Sequence, residues 1–90
     1  MAVGLLFDGV GVSQDQYYQV LNEVTNNGAE PPAGGLTHVA GPTESGFCVI
    51  ETWESREALE AFYEAKLRPA LEAAQIQVQP KIFDVINSAP

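Results

Sequence analysis

Apolar residues recur along this chain with changing period, and the changes mark out its elements. Val3, Leu5, Leu6 and Phe7 form a short apolar run, which predicts a strand over Ala2–Phe7. Gly9 and Gly11 then loosen the chain. From Ser13 the period lengthens: Tyr17, Val20, Leu21 and Val24 fall at i, i+3, i+4 and i+7, one face of a helix. Ser13 and Gln16 have the spacing of a capping box, and Val12 and Tyr17 that of a hydrophobic staple. Asp15 suits the positive end of the helix dipole. Asn26-Asn27-Gly28 ends the helix, because Asn and Gly tolerate the left-handed conformation of a C-cap.

Ala29 to Gly35 holds two prolines and two glycines, a loop too short to link domains. Leu36–Ala40 reads as a second strand and Phe47–Trp53 as a third, rich in β-favouring Val49, Ile50, Thr52 and Trp53. Gly41 to Gly46 is turn chemistry, so these two strands form an antiparallel hairpin. Ser55 caps a second helix, in which Leu59, Phe62 and Lys66 share a face with Ala58 and Ala65. Glu54, Glu57, Glu60 and Glu64 line a solvated face of it. Pro69 removes a helical N–H and crowds the preceding turn, which predicts a kink or break and a short helix from Pro69 to Ala74. Lys81–Ile86 is the last strand. No internal repeat or low-complexity tract interrupts this order.

The order β-α-β-β-α-β is that of a ferredoxin-like α+β domain over residues 1–90: a four-stranded antiparallel sheet with helices on one face. A sheet with one wet face alternates apolar and polar residues. Here Leu5 and Leu6 are adjacent, as are Val49 and Ile50. The second face therefore needs a cover, and in a chain of 90 residues the candidate is a second copy, giving a homodimer.

Charge narrows the partners. Twelve acidic and four basic residues leave a net charge of −8, and Arg56, Lys66, Arg68 and Lys81 are scattered. Nucleic acid and anionic membrane surfaces both need clustered cations, so neither is expected as a partner. No apolar run approaches the ~20 residues of a transmembrane helix, and Met1-Ala2-Val3-Gly4 lacks the basic start of a signal peptide. Cys48 is the only cysteine, which excludes an intrachain disulfide and points to the cytoplasm.

His38 is the only histidine and can serve as acid, base or ligand. Equally, it can be a hydrogen-bonded structural residue or an interface one. A metal centre is not expected, since zinc asks for three or four protein ligands. Glu51 and Asp8 interrupt apolar strands; a carboxylate facing an apolar pocket could act as general acid or base, whereas one at an edge reaches solvent. Phe47, Val49, Glu51 and Trp53 alternate onto one face of the third strand, with Cys48, Ile50 and Thr52 on the other. If Trp53 lines a pocket, Glu51 points toward it. Trp53, Phe62, Tyr63, Tyr17 and Phe7 are candidate ligand-binding residues, with Tyr18 and Phe83 as additions to an aromatic wall; the alternative for all of them is core packing. Cys48 has no basic neighbour in sequence and reads as a small buried hydrophobe.

The stretch Leu36-Thr37-His38-Val39-Ala40-Gly41-Pro42, with Ile50-Glu51-Thr52-Trp53-Glu54-Ser55-Arg56-Glu57-Ala58-Leu59, resembles the dimeric α+β barrel proteins, and within them the antibiotic-biosynthesis-monooxygenase-like group. In element order the resemblance spans the chain. It implies two sheets packed face to face in a homodimer, and a pocket between sheet and helices in each subunit. Members of that superfamily include cofactor-free oxygenases of aromatic polyketides, haem-degrading enzymes, isomerases and cyclases. The quinone-forming oxygenases use a pocket asparagine and arginine; here Asn22, Asn26 and Asn27 lie in or after the first helix, and Arg56 and Arg68 on helix surfaces. The expectation is a protein that binds a small apolar or aromatic molecule. If it is an enzyme, it needs no cofactor and performs oxygenation, isomerisation or cyclisation with His38 as proton acceptor and Glu51 as a further candidate acid or base. The alternatives are a ligand carrier or dimerising accessory protein, and a haem-binding protein ligated through His38.

Overall fold

A computed structural model describes residues 1–28 and 32–89. The first three residues of the loop expected from Ala29 lie outside them. The elements are β1 (Val3–Val10), α1 (Gln14–Val24), β2 (Gly35–Pro42), β3 (Gly46–Trp53), α2 (Arg56–Phe62), a π-helical segment (Tyr63–Leu67), α3 (Arg68–Ala73) and β4 (Lys81–Asp84). The four strands form one antiparallel sheet in the order β2-β3-β1-β4. This is the ferredoxin-like arrangement that the element order implied.

β1 runs three residues further than its apolar run, because Gly9 and Val10 continue to pair with Phe47 and Gly46 of β3. Only glycine fits at 46, where a Cβ would collide with the Gly9 carbonyl. Gly11 then leaves the sheet at φ +79°. The hairpin loop shrinks to Thr43–Ser45, held by the Thr43 and Gly46 amides. β4 stops at Asp84 instead of Ile86. The Val85 N–H still reaches the Ala2 carbonyl at 3.0 Å, whereas Ile86 is almost wholly exposed.

The capping box of α1 is complete: Ser13 Oγ accepts from the Gln16 N–H, and the Gln16 side chain accepts from the Ser13 N–H. Asn26, Asn27 and Gly28 all take positive φ and end the helix as their residue types predict. In the second helical stretch the chain does not break at Pro69. It widens one turn earlier, and the Arg68 N–H reaches back to the Tyr63 carbonyl. A π turn spaces its hydrogen bonds five residues apart and accommodates a missing donor and a crowded carbonyl. The extra residue also rotates the buried face. Leu67, Ala70 and Leu71 turn inward, and Ala65 and Lys66 turn out, correcting the straight-helix reading that put these two beside Leu59.

The core lies between one sheet face and the helices. Val3, Leu5, Phe7, Phe47, Val49 and Trp53 meet Val20, Val24, Leu59, Ala70 and Leu71, with Leu59 and Ala70 entirely hidden. Strand alternation sends Leu6, Val10, Val39, Cys48, Ile50 and Phe83 to the other face, where Val10, Val39, Ile50 and Phe83 are exposed. Phe83 lies so flat over Gly4 that a Cβ there would meet its ring. Cys48 is therefore a half-buried residue of this outer face and not part of the core.

Candidate functional site

The register of β2 on β3 sets His38 opposite Glu51, and both side chains project to the helix side. His38 Nδ1 lies 2.7 Å from Glu51 Oε2. The other carboxylate oxygen of Glu51 accepts from Trp53 Nε1 at 3.0 Å, two residues along the same strand face. From α1, Tyr17 brings its hydroxyl to 2.6 Å from His38 Nε2. Four residues from three elements thus form one continuous hydrogen-bonded chain, Trp53–Glu51–His38–Tyr17.

With Glu51 ionised and the imidazole neutral, donor chemistry gives the chain one direction. An ionised carboxylate only accepts, so both Trp53 and His38 Nδ1 donate to Glu51. A neutral imidazole protonated at Nδ1 leaves Nε2 as acceptor, and the Tyr17 O–H donates to it. Burial, then the Glu51 carboxylate, then Tyr18 push the Tyr17 hydroxyl above its ordinary value of 10.0, which keeps that donor protonated. Packing holds the parts in place. The Tyr17 ring stacks on Phe47 with centroids 4.7 Å apart, and Trp53 packs on Phe62 at 5.1 Å.

The chain forms the polar rim of an otherwise apolar cavity of about 420 Å³ between the sheet and α1. Phe7, Phe47, Val49 and Trp53 give its floor, and Val20, Phe62 and Leu71 parts of its walls. Among its described lining residues Glu51 is the only carboxylate, and there is no Lys or Arg. His38 stands at the mouth with 40% of its side chain exposed, whereas Glu51 behind it keeps 14%.

Of the candidate residues, His38, Glu51, Trp53, Phe62, Tyr17 and Phe7 all border this cavity. The coupling of Glu51 to Trp53 holds, because both obey the same strand alternation. Tyr63 lies elsewhere: it sits under the Arg68 guanidinium, 5.3 Å from its ring centre, on a shallow depression with Glu72 and Gln77. Its own N–H bonds the Leu59 carbonyl in the ordinary α register, and as the next residue after Phe62 it lies about 100° further round the helix. Phe83 and Asp8 are on the outer sheet face, for the alternation places residues 4, 6 and 8 of β1 there together with the Phe83 partner position. Tyr18 is half exposed and packs edge-on against Tyr17. Asn22, Asn26 and Asn27 are exposed, Arg56 faces Asp84 at 3.6 Å, and Arg68 pairs with Glu64; none borders the cavity. Both ring nitrogens of His38 are engaged, so ligation of haem iron would have to break one of these bonds. Sequence reasoning missed the bond between Tyr17 and His38, which lie 21 residues apart. It also missed Ile76 and Pro80, which close the cavity from an irregular stretch without periodicity.

No family model and no curated protein matches the sequence. Solved structures do match in shape. A candidate antibiotic biosynthesis monooxygenase from Chloroflexus aurantiacus J-10-fl superposes with a TM-score of 0.66 at 14% identity, covering 100% of this chain and 98% of that one. A variant of SnoaB, a cofactor-independent oxygenase from Streptomyces nogalater, gives 0.67 at 13% identity over 99% of this chain and 96% of that one. A dimeric ferredoxin-like protein of unknown function from Thermobifida fusca gives 0.59 at 17% identity over 93% and 90%. The chain has the ferredoxin-like fold of the antibiotic-biosynthesis-monooxygenase-like proteins along its full length; at these identities the likeness is one of fold.

Proposed function

We propose that this chain is a homodimeric, single-domain protein that binds a small, apolar, planar molecule in the cavity behind its sheet. We propose further that it performs cofactor-independent chemistry of the monooxygenase type on that molecule, with His38 as proton acceptor and Glu51 as the carboxylate that steadies it. The observation that carries this reading is the cavity itself: about 420 Å³ of apolar and aromatic wall with one convergent polar cluster, the usual composition of a small-molecule site. Loss of a proton to His38 would leave an electron-rich ring more reactive toward dioxygen. SnoaB, which shares the fold, is a cofactor-independent oxygenase.

The exposed Val39, Ile50 and Phe83 on the outer face support the dimer, as does the dimeric state of the Thermobifida fusca protein. The unpaired Cys48 fits the cytoplasm. No helix among the described residues is long and apolar enough to cross a membrane.

Dioxygen uptake tests the oxygenase reading. A dihydroxynaphthalene is incubated with protein free of flavin and metal, and the rate above background is compared between wild type and His38→Ala. Uptake that depends on His38 supports the reading. Binding seen by Trp53 fluorescence without any His38-dependent uptake leaves a ligand carrier.

A further inference from the structure

The cavity lets a ligand reach Tyr17 more readily than it lets one reach the imidazole nitrogens. Nε2 of His38 is taken by the Tyr17 hydroxyl at 2.6 Å and Nδ1 by Glu51 at 2.7 Å. A neutral imidazole has one acceptor, and here that acceptor is already used. The Tyr17 oxygen is different: having donated its proton to Nε2, it keeps lone pairs free to accept. Tyr17 borders the cavity and rests flat on Phe47, another cavity residue. The arrangement has the logic of a nucleophile–histidine–carboxylate triad, in which the carboxylate orients the imidazole and stabilises its cation. In this protein the outer member is a phenol at the edge of an apolar chamber.

We infer that Tyr17 is the residue that exchanges a proton with the ligand, that His38 and Glu51 act through it, and that the ligand is a neutral, weakly acidic phenol or enol. The inference rests on the proposed ligand-binding role of the cavity. In the step, the ligand O–H proton passes to Tyr17 Oη as the Tyr17 proton passes to His38 Nε2. One O–H bond breaks and one forms at Tyr17, and an N–H bond forms at Nε2. The products are the ligand oxyanion and an imidazolium held against Glu51; no electrons leave either partner. In this scheme Tyr17 is the residue that touches the ligand, His38 is the base that takes the proton through it, and Glu51 is a positioning residue. The charge restriction follows from the lining: with Glu51 present and no Lys or Arg among the described lining residues, a carboxylate or phosphate ligand meets repulsion and no counter-charge.

Three shape-matched probes test this with the full chain: 4-nitrophenol, whose anion is yellow, 4-nitroanisole, which lacks the O–H, and 4-nitrobenzoate, which is anionic. Binding is read from Trp53 fluorescence, ionisation from the yellow band, and the His38 state from its ring ¹⁵N shifts. Near pH 7, where an unperturbed imidazole is mostly neutral, the expected result is that wild type binds the phenol and the anisole. The bound phenol is more fully ionised than the free probe, and Nε2 becomes protonated. 4-Nitrobenzoate binds about tenfold more weakly or worse, the scale of one unfavourable charge contact. Tyr17→Phe still binds both neutral probes, but its bound ionised fraction falls about tenfold or more, with no new Nε2 proton. Glu51→Gln, folded by the same fluorescence, loses the imidazolium signal as well. Equal ionisation in Tyr17→Phe and wild type overturns the inference and leaves the cavity reading standing. Failure of both neutral probes to reach wild-type Trp53 overturns the cavity reading, and this inference with it.

Discussion

Leu59→Ala is the sharpest test of how this small core is held together. Leu59 is fully hidden, on the first turns of α2 and pressed onto the sheet. The change removes three carbons, worth about 2.4 kcal/mol at roughly 0.8 kcal/mol each. A cavity cost adds to this, and the expected total is about 3–4 kcal/mol, within the about 2–5 kcal/mol of buried leucine truncations. A chain of 90 residues has about 5–13 kcal/mol of stability in all. One side chain is thus a large part of the whole, and the midpoint of thermal unfolding should fall by about 12–24 °C for ~3 kcal/mol. The assay is circular dichroism against temperature and urea, with exposed Glu60→Ala as the control, expected within about 0.5 kcal/mol of wild type. Because a dimer makes the midpoint depend on concentration, both variants are compared with wild type at two protein concentrations. A loss below about 1 kcal/mol for Leu59→Ala, or a loss equal to that of Glu60→Ala, would refute the placement of the core under α2.

Ser13→Ala removes the cap of α1 and should cost about 1 kcal/mol, read as a midpoint lower by about 4–8 °C; an unchanged midpoint would deny the capping box a role. Ile50→Asp with Val39→Asp places two charges on the outer sheet face, and sedimentation equilibrium should show the proposed dimer giving way to folded monomer; a dimer that survives both changes uses another surface. Tyr17 carries a hydroxyl raised above 10.0 by burial and by Glu51, so the folded state holds that proton more tightly than the unfolded chain. Its contribution is complete below the unfolded value and is lost as pH rises through the folded one, so wild type should lose stability above pH 10 more steeply than Tyr17→Phe. Parallel urea midpoints in the two proteins across that range would remove the linkage.

Much of this molecule was legible in the chain because the signals are local. Ser13 with Gln16 fixes a cap through bonds three residues apart, and Asn26-Asn27-Gly28 ends a helix by backbone preference alone. Alternation on β3 coupled Glu51 to Trp53 before any partner was known, since a strand has only two faces. The element order followed from these pieces. Pro69 marked a disturbance correctly, but its form did not follow from the residue: a kink, a break and a π turn all relieve the same crowding, and packing of Leu67, Ala70 and Leu71 selected the last. That choice also moved Lys66 out of the apolar face.

Which face His38 occupies depends on the register of β2 against β3, and a shift by one residue reverses it. The register shifts between Gly35 and Thr37, and the folded hairpin beyond it puts His38 across from Glu51. Tyr17 reaches the same imidazole only because α1 crosses the sheet at that point. The sequence by itself determined the elements, the apolar faces and the residue types available for chemistry, because those depend on neighbours a few positions away. The tertiary structure alone decided that Trp53, Glu51, His38 and Tyr17 form one chain at the rim of one cavity. A hydrogen bond between residues 21 positions apart is a consequence of strand register and helix placement, and neither is encoded at either residue.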